Sequence, residues 1–340
     1  MSKSKKNKIS IIDYIKKIPK AELHIHIEGT LEPKMLFNLA KRNNIKILFK
    51  NVNEIKSAYK FNNLDSFLKL FYQGSKVLIK EKDFFDLTWA YVLKCKKENI
   101  VHTEIFFDPQ THVNRGISFN IVINGIYKAL EKAKKDFDLS YCIIMCFLRH
   151  LDEKDAFKVL KKAIKHKDKI IGVGLDSSEL GNPPKKFKKV FDEAIKHKFL
   201  TVAHAGEEGP PQYIWDSLND LKAKRIDHGV KCYLDKKLVK KLLINQVPLT
   251  VCPISNIKLS VFDKLKNHNL KELLNKKLMV TVNSDDPAYF GAYLNKNLIE
   301  CQKSLHLSTK EIKQLVINSF KSSFLPDRIK NKWLKKVTKY

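Results

Sequence analysis

The sequence predicts an α/β fold, specifically a closed (β/α)8 barrel, from three observations. Eight short runs of apolar and β-branched residues are spread along the 340-residue chain. Segments with apolar residues at three-to-four spacing, typical of amphipathic helices, separate these runs. The runs are apolar on both faces, as in parallel strands whose sheet is covered by helices. Eight such strands can close a barrel, and a chain of this length can form one as a single domain.

The predicted strands and helices alternate along the chain. The strands are Glu22–Ile27, Val101–Phe107, Tyr141–Leu148, Ile170–Leu175, Leu200–Ala203, Arg225–Asp227, Leu249–Val251 and Leu278–Val282. Helical periods include Ala156–His166, Phe187–His197, Leu238–Asn245 and the tail Thr309–Tyr340. This order is typical of repeated strand–helix units, in which each helix returns the chain to the next parallel strand.

The interval between the first and second strands is long, roughly 75 residues, although a crossover needs only about a dozen. It contains helical periods at Lys34–Asn43, Leu64–Leu78 and Asp83–Asn99. We therefore predict one domain, residues 1–340, with a helical insertion at about 34–99. An insertion after a strand lies at the C-terminal mouth of a barrel, where it could act as a lid.

Composition excludes several classes of protein. The chain is 44% hydrophobic but has no apolar run near the about 18 residues of a membrane helix, so no membrane partner is predicted. The basic N-terminus lacks the apolar stretch of a signal peptide, which predicts a cytoplasmic protein with six reduced cysteines. The net charge is +29, but only five of the 65 basic residues are Arg, so no specific nucleic-acid partner is predicted. The sequence does not decide whether the protein forms a homo-oligomer.

Two histidines in the first predicted strand form half of a metal site. His24 and His26 flank Ile25, and on a strand of period two both imidazoles project to the same side. Taken alone, such a pair is more often structural or coincidental than metal-binding. The other polar clusters of the chain decide between these interpretations.

Three further polar clusters follow predicted strands. His204 and Glu207 come after the fifth strand, His228 follows the sixth, and Asp285 and Asp286 follow the eighth. Each cluster alone also fits a loop or a helix cap. The C-terminal ends of barrel strands carry active sites, however, so their joint placement favours a catalytic site.

Three histidines and one aspartate suit a catalytic Zn²⁺ ion with one position left open for water. Calcium or magnesium would need more oxygen ligands. Glu207, His228 and Asp286 then remain as titratable residues without a ligand role. Because a structural zinc site would not need them, the set predicts an enzyme.

The residues around these clusters resemble the adenosine and adenine deaminase family of zinc aminohydrolases. The matching stretches are PKAELHIHIEGTLEP, EIFFDPQTH, GVGLDSSE, VAHAGEEGPP, RIDHGV, LTVCPISN and VNSDDP, spread from Pro19 to Pro287. The chain is most similar to the adenine deaminase branch. This resemblance implies a (β/α)8 barrel of the metal-dependent hydrolase type, one zinc ion per chain, and hydrolytic loss of ammonia from C6 of a purine.

The resemblance also implies roles for individual residues. The family's zinc ligands correspond to His24, His26, His204 and Asp285. Glu207 corresponds to the proton donor, His228 to the catalytic histidine and Asp286 to the substrate-binding aspartate. Attack at C6 moves charge onto N1, so an acid there accelerates the reaction if Glu207 begins protonated. His228 would orient the attacking hydroxide, Asp286 would bind N7, and Asp285 could relay a proton to the departing amine.

Two departures from the adenosine-specific branch bear on the substrate. Adenosine deaminases have Asp where this chain has Glu28, and an AGDE stretch where it has Leu175–Glu179. We hypothesise that Glu28, with Ser178 or Glu179, closes the ribose pocket while a carboxylate accepts the N9–H that only the free base offers. Asp108 is interpreted mainly as a loop cap, Ser255 and Asn256 as turn residues, and the remaining histidines as having no metal role.

The leading prediction is thus zinc-dependent deamination of adenine to hypoxanthine and ammonia in purine salvage. The alternatives are deamination of adenosine or of an N6-modified purine, and a non-enzymatic barrel that binds polyanions through its Lys-rich surface. A complete set of ligands and acid–base residues argues against the last. The native metal preference and the kinetic constants are not predicted.

Overall fold

The computed structural model describes residues 9–340, and these form a closed barrel of eight parallel strands paired in chain order. The basic residues 1–8, on which the prediction about export partly rests, lie outside this range. A bridge between Ile25 and Asp285 joins the two ends of the sheet. The strands are β1 Lys20–His26, β2 Ile100–Phe107, β3 Ser140–Leu148, β4 Gly172–Asp176, β5 Leu200–Ala205, β6 Arg225–His228, β7 Leu249–Val251 and β8 Val280–Val282.

Helices cover the outside of the barrel and its C-terminal mouth. The helices before β5 are α1 Ile11–Lys17, α2 Pro33–Arg42, α3 Val52–Ala58, α4 Leu64–Ser75, α5 Glu81–Glu98, α6 Pro109–Val113, α7 Phe119–Phe137, α8 Glu153–Ile164 and α9 Lys188–Lys196. Those after β5 are α10 Pro211–Asn219, α11 Lys236–Asn245, α12 Pro253–Lys258, α13 Leu270–Asn275, α14 Pro287–Phe290, α15 Leu294–Leu305, α16 Thr309–Ser322 and α17 Asp327–Lys339. Short 3₁₀ turns occupy Glu28–Thr30, Pro184–Phe187, Val230–Leu234 and Leu265–Asn267.

The predicted fold class is confirmed, and each predicted strand overlaps an observed one. At the starts of the fourth and eighth strands the prediction began too early, at Ile170 and Leu278. Both residues are buried in the core without belonging to a strand, so their apolar character reflects packing rather than extended backbone. Helices α2 to α5 fill the long interval after β1. We propose, as the sequence predicts, that the chain forms one domain.

A buried ion pair closes the N-terminal end of the barrel. The Nη1 atom of Arg225, the first residue of β6, donates to Glu104 Oε2 at 2.5 Å, and Nη2 donates to the carbonyl oxygen of Leu23 at 3.0 Å. Both charged side chains are fully buried. The two opposite charges thus neutralise each other inside the barrel, and the predicted site residues lie at the opposite, C-terminal end.

Two predictions from composition can be compared with the structure. Within residues 9–340, no helix combines the length and the apolar character needed to cross a membrane. The six cysteines are all free and buried, as predicted for a protein too large to need disulfides.

Candidate active site

The C-terminal ends of four strands bring the predicted polar residues together. His24 and His26 lie on β1, and His204 lies on β5. His228 is the last residue of β6, and Asp285 follows β8 in the segment that bonds back to β1. His228 and Asp285 both have a φ of 63°, a conformation that is uncommon for residues with a side chain and that turns each group at the strand end.

Four of these side chains converge on one point. His24, His26, His204 and Asp285 each offer one ligand atom, and the four atoms lie within 4.8 Å of one another. The Nε2 atoms of His26 and His204 are 3.1 Å apart, and His24 Nε2 lies 3.3 Å from Asp285 Oδ1. His24 Nε2 is buried and makes no hydrogen bond. Three imidazole nitrogens facing one carboxylate form a donor set that fits a zinc ion.

The second ring nitrogen of each histidine faces an oxygen atom. The separations are 3.0 Å from His24 to Thr250 Oγ1, 3.5 Å from His26 to Asp176 Oδ2 and 3.5 Å from His204 to Asp227 Oδ2. Such partners fix the orientation of a histidine ring and the tautomer that leaves its other nitrogen free to bind a cation. The surroundings of the cluster therefore support the same interpretation as the cluster itself.

Burial keeps several of these imidazoles neutral. It lowers the pKa of His26 to about 4 and that of His228 to about 3, although the charge of Asp285 acts in the opposite direction. Burial and then the neighbouring histidines lower the pKa of His204 well below its usual value. A neutral imidazole offers the lone pair that a metal ion or a proton requires.

An acid lies beside the cluster. Glu207 Oε2 is 3.4 Å from His228 Nε2, which in turn lies 3.9 Å from Asp285 Oδ2. Burial raises the pKa of Glu207 well above its usual value, and the nearby charge of Asp285 adds to this effect. Burial therefore favours the protonated form of Glu207, which is the form required of a general acid.

One pocket contains this acid and most of the cluster. Its apolar wall comes from α4, and its polar wall comes from the ends of the strands. The lining residues are His26, Leu64, Phe67, Leu68, Phe71, Tyr72, Asp108, Asp176, Ser177, His204, Glu207, His228, Leu259, Asp285 and Asp286. The arrangement suits a flat, apolar ring with polar edges, held between hydrophobic side chains and charged groups.

Helix α4 is fastened over this pocket by three hydrogen bonds to the loops after β4 and β5. Ser178 Oγ donates to Asp65 Oδ1 at 2.6 Å, and the hydroxyls of Tyr72 and Ser177 are 2.7 Å apart. The backbone N–H of Leu64 donates to a carboxylate oxygen of Glu208 at 3.1 Å. The insertion thus covers part of the barrel mouth and supplies the apolar side of the pocket.

Comparison with known proteins decides the family. A family model described as adenosine deaminase matches residues 19–340. The chain belongs to the adenosine deaminase family. Among its relatives are the adenine deaminases of Acinetobacter baylyi and Wolinella succinogenes. Each is 54% identical over 325 residues, which cover 96% of this chain and 98% of the relative.

Two solved structures share this barrel. The crystal structure of adenine deaminase from Arthrobacter aurescens has a TM-score of 0.93 and 44% identity, covering 95% of this chain and 98% of that one. An amidohydrolase from Burkholderia ambifaria with bound Zn has a TM-score of 0.89 at 22% identity, covering 98% of this chain and 94% of that one. This second likeness concerns the fold alone.

Within this member of the adenosine deaminase family, two predicted specificity residues lie away from the pocket wall. Glu28 is fully buried, and its Oε1 atom accepts hydrogen bonds from Asp108 N at 3.2 Å and His112 Nε2 at 2.9 Å. Ser178 contacts α4 instead of the pocket. The hypothesis for Glu28 came from its difference from the adenosine-specific branch, and the structure places this side chain in the 3₁₀ turn Glu28–Thr30, bonded to Asp108 and His112 behind the pocket lining.

Two residues contribute more to the site than the sequence indicated. Asn256, interpreted as a turn residue, lies in α12 and donates from Nδ2 to Glu207 Oε1 at 3.1 Å. His268 Nε2 lies 3.2 Å from Asn256 Oδ1 and so helps to orient that amide. Asp108, interpreted mainly as a loop cap, lines the pocket with a buried Oδ1 atom that has no hydrogen-bond partner. Asp108 directly follows β2, and Asn256 lies in the helix that follows β7. These positions at the C-terminal ends of strands were the only sign in the sequence that both residues belong to the site.

Proposed function

We propose that this protein is a zinc-dependent adenine deaminase that converts adenine to hypoxanthine and ammonia in purine salvage. The observation that carries the proposal is the convergence of three histidine nitrogens and one carboxylate beside the buried acid Glu207. The adenine deaminase names of relatives at 54% identity support the same activity. The cytoplasmic location and the homo-oligomer stay predictions from the sequence.

One zinc ion per chain would be held by His24, His26, His204 and Asp285. A zinc ion in such a site acts as a Lewis acid and makes water available as a nucleophile at neutral pH. The donor set fits it because the histidines are buried and their second ring nitrogens already face oxygen atoms.

Four residues carry out the proton transfers and hold the substrate. Glu207, whose pKa is raised by burial, donates its proton to N1 as attack at C6 moves electrons onto that atom. The neutral imidazole of His228, 3.4 Å from Glu207, orients the attacking oxygen atom. Asp286 binds N7 and holds the purine in register, and Asp285 carries a proton from the attacking water to the departing amine.

Selection of the free base is an indirect function of Glu28 and Ser178 in this proposal. Glu28 accepts a hydrogen bond from the backbone of Asp108, which lines the pocket, and so fixes that part of the wall. Ser178 donates a hydrogen bond to Asp65 of α4, the helix that lines one side of the pocket. Both residues therefore restrict the space that a ribose would need without touching the base.

The direct test is an ammonia-release and ultraviolet assay on zinc-loaded protein with equal concentrations of adenine, adenosine and N6-methyladenine. We expect rapid turnover of adenine alone and one zinc ion per chain by atomic absorption. Preference for adenosine or N6-methyladenine would favour the corresponding alternative. No turnover, together with salt-dependent nucleic-acid binding insensitive to zinc, would favour the polyanion-binding barrel.

Two matched variants separate the chemistry from the fold. Glu207→Gln keeps the shape of the acid but removes its proton, so we expect kcat to fall by about 10² to 10⁴. Glu193→Gln makes the same change on an exposed helix and serves as the control. Equal activities of the two variants would contradict the role of Glu207.

A further inference from the structure

A single carboxylate binds the whole loop that carries the acid. The oxygens of Glu179 accept hydrogen bonds from four successive backbone N–H groups, those of Gly206, Glu207, Glu208 and Gly209. The donor–acceptor distances are 2.6, 3.1, 2.8 and 2.8 Å, in that order. Glu179 is only 2% exposed and does not line the pocket.

The loop has a sequence that permits this arrangement. Gly206 has a φ of +68°, which favours glycine, and it turns the chain directly after β5. A Cβ atom at Gly209 would lie 2.6 Å from Glu179 Oε1, so glycine is also needed for the close approach of the carboxylate. Oε1 of this carboxylate accepts from Gly206, and Oε2 accepts from the three N–H groups that follow, so both oxygens bind the loop.

These contacts fix the backbone from which the acid projects. The loop at Gly206–Gly209 has no helix or strand of its own, so its N–H groups have no ladder to pair with. The Glu207 side chain is held at its far end by Asn256, and its backbone is held by Glu179. An acid must reach its proton acceptor at hydrogen-bond distance, and an error of about 1 Å can cost 100-fold in rate.

We propose that Glu179 is a positioning residue that sets the place of the Glu207 carboxyl group relative to N1 of the purine. Glu179 acts through the backbone of the acid loop and touches neither the substrate nor the metal ligands. The inference rests on the proposed function, because it assigns to Glu179 a part in that same proton transfer. It replaces the hypothesis that this residue closes a ribose pocket.

The test is a double-mutant cycle in the full-length, zinc-loaded protein with adenine as substrate. Glu179→Gln keeps the side-chain size but turns an NH₂ group toward backbone N–H groups. We expect kcat to fall about 100-fold while KM changes by less than about threefold and zinc content stays at one per chain. In the Glu207→Gln background, the same substitution should lower the remaining rate by less than about threefold, because the acid it positions is already lost.

A matched control measures the effect of structural loss alone. Asp83 is also a buried carboxylate that accepts backbone N–H groups, from Ile79 at 3.0 Å and Lys80 at 2.8 Å, but it lies on the outer helix α5. Asp83→Asn should destabilise the protein while leaving kcat within about threefold of wild type. If Glu179→Gln fails to fold, Glu179→Asp enters the same cycle with the same expectation.

The outcomes separate the two proposals. Equal losses of kcat from Glu179→Gln in the wild-type and Glu207→Gln backgrounds would overturn the positioning role and leave the proposed function intact. A loss of kcat from Glu179→Gln no larger than the loss from Asp83→Asn would also overturn the positioning role and leave the proposed function intact. Wild-type protein that turns over no purine would overturn the proposed function, and this role with it.

Discussion

Gly29 offers the sharpest steric test of the site. It follows β1 in the 3₁₀ turn Glu28–Thr30, directly against Asp286. A Cβ atom added at Gly29 would lie 2.0 Å from Asp286 Oδ1 and 2.7 Å from Asp286 Cα. Gly29→Ala therefore displaces the residue that we propose binds N7, without removing any functional group.

The size of the effect follows from these distances. Ordinary contact begins at 3.4 Å, so the Asp286 oxygen must move by the difference, about 1.4 Å, and its Cα by about 0.7 Å. Because the Cα must also move, a change of rotamer cannot relieve the clash. A misplacement of about 1 Å costs on the order of 100-fold in rate, and overpacking costs about 1–3 kcal/mol of stability.

The assay compares kcat/KM for adenine and thermal unfolding in Gly29→Ala and a second glycine variant. Gly125→Ala creates a similar clash, 2.4 Å from Glu81 O and 2.6 Å from Phe84 Cβ, but between α7 and α5 on the outside of the barrel. We expect both variants to lose stability and only Gly29→Ala to lose about 100-fold in kcat/KM. Gly29→Ala protein that is folded and keeps more than about a tenth of wild-type kcat/KM would refute the reasoning.

Three other predictions concern the bound metal, the ion pair at the N-terminal end of the barrel, and the dependence of stability on pH. Asp285→Asn should reduce zinc content, measured by atomic absorption, well below one ion per chain, and unchanged content would contradict its ligand role. Arg225→Met removes the buried guanidinium that pairs with Glu104 and leaves that carboxylate only its contacts with His102 and the backbone of Phe324. It should lower the free energy of unfolding, measured in urea, by about 3–5 kcal/mol, whereas a loss under about 1 kcal/mol would contradict the pairing. Burial lowers the pKa of His268 to about 3, so the unfolded chain binds a proton below pH 6.5 that the folded chain does not. This group should therefore lower the free energy of unfolding by about 2 kcal/mol between pH 7 and pH 5. His268→Gln should remove that part of the pH dependence. The same pH dependence in the wild-type protein and the variant would show that His268 is not its cause.

The barrel was predictable because its signals are local. A parallel strand buried on both faces is a nearly continuous apolar run, so β3 could be found from its residues alone. The polar residues of the site at the C-terminal ends of β5, β6 and β8 were equally visible, because each follows a predicted strand. His204, His228 and Asp285 were located by that rule before any distance was known.

The supporting residues were not predictable, because their partners are distant in the sequence. Asn256 contacts a residue 49 positions earlier, and Glu179 contacts the loop that begins 27 positions later. An isolated Asn or Glu in a loop has the same local pattern whether it holds a catalytic group or faces solvent. The partners of Glu28 were hidden for the same reason, because Asp108 and His112 lie 80 and 84 positions later in the sequence.

The three hydrogen bonds that fasten α4 have a consequence for turnover. Lifting the helix would break these bonds and would also separate Phe67 and Phe71 from Tyr289 and Phe290, so molecules with the helix lifted are rare. A purine that enters only such molecules waits for the helix to lift, and its product leaves only when the helix lifts again. The rate of each cycle should therefore become sensitive to solvent viscosity whenever proton transfer is faster than this motion.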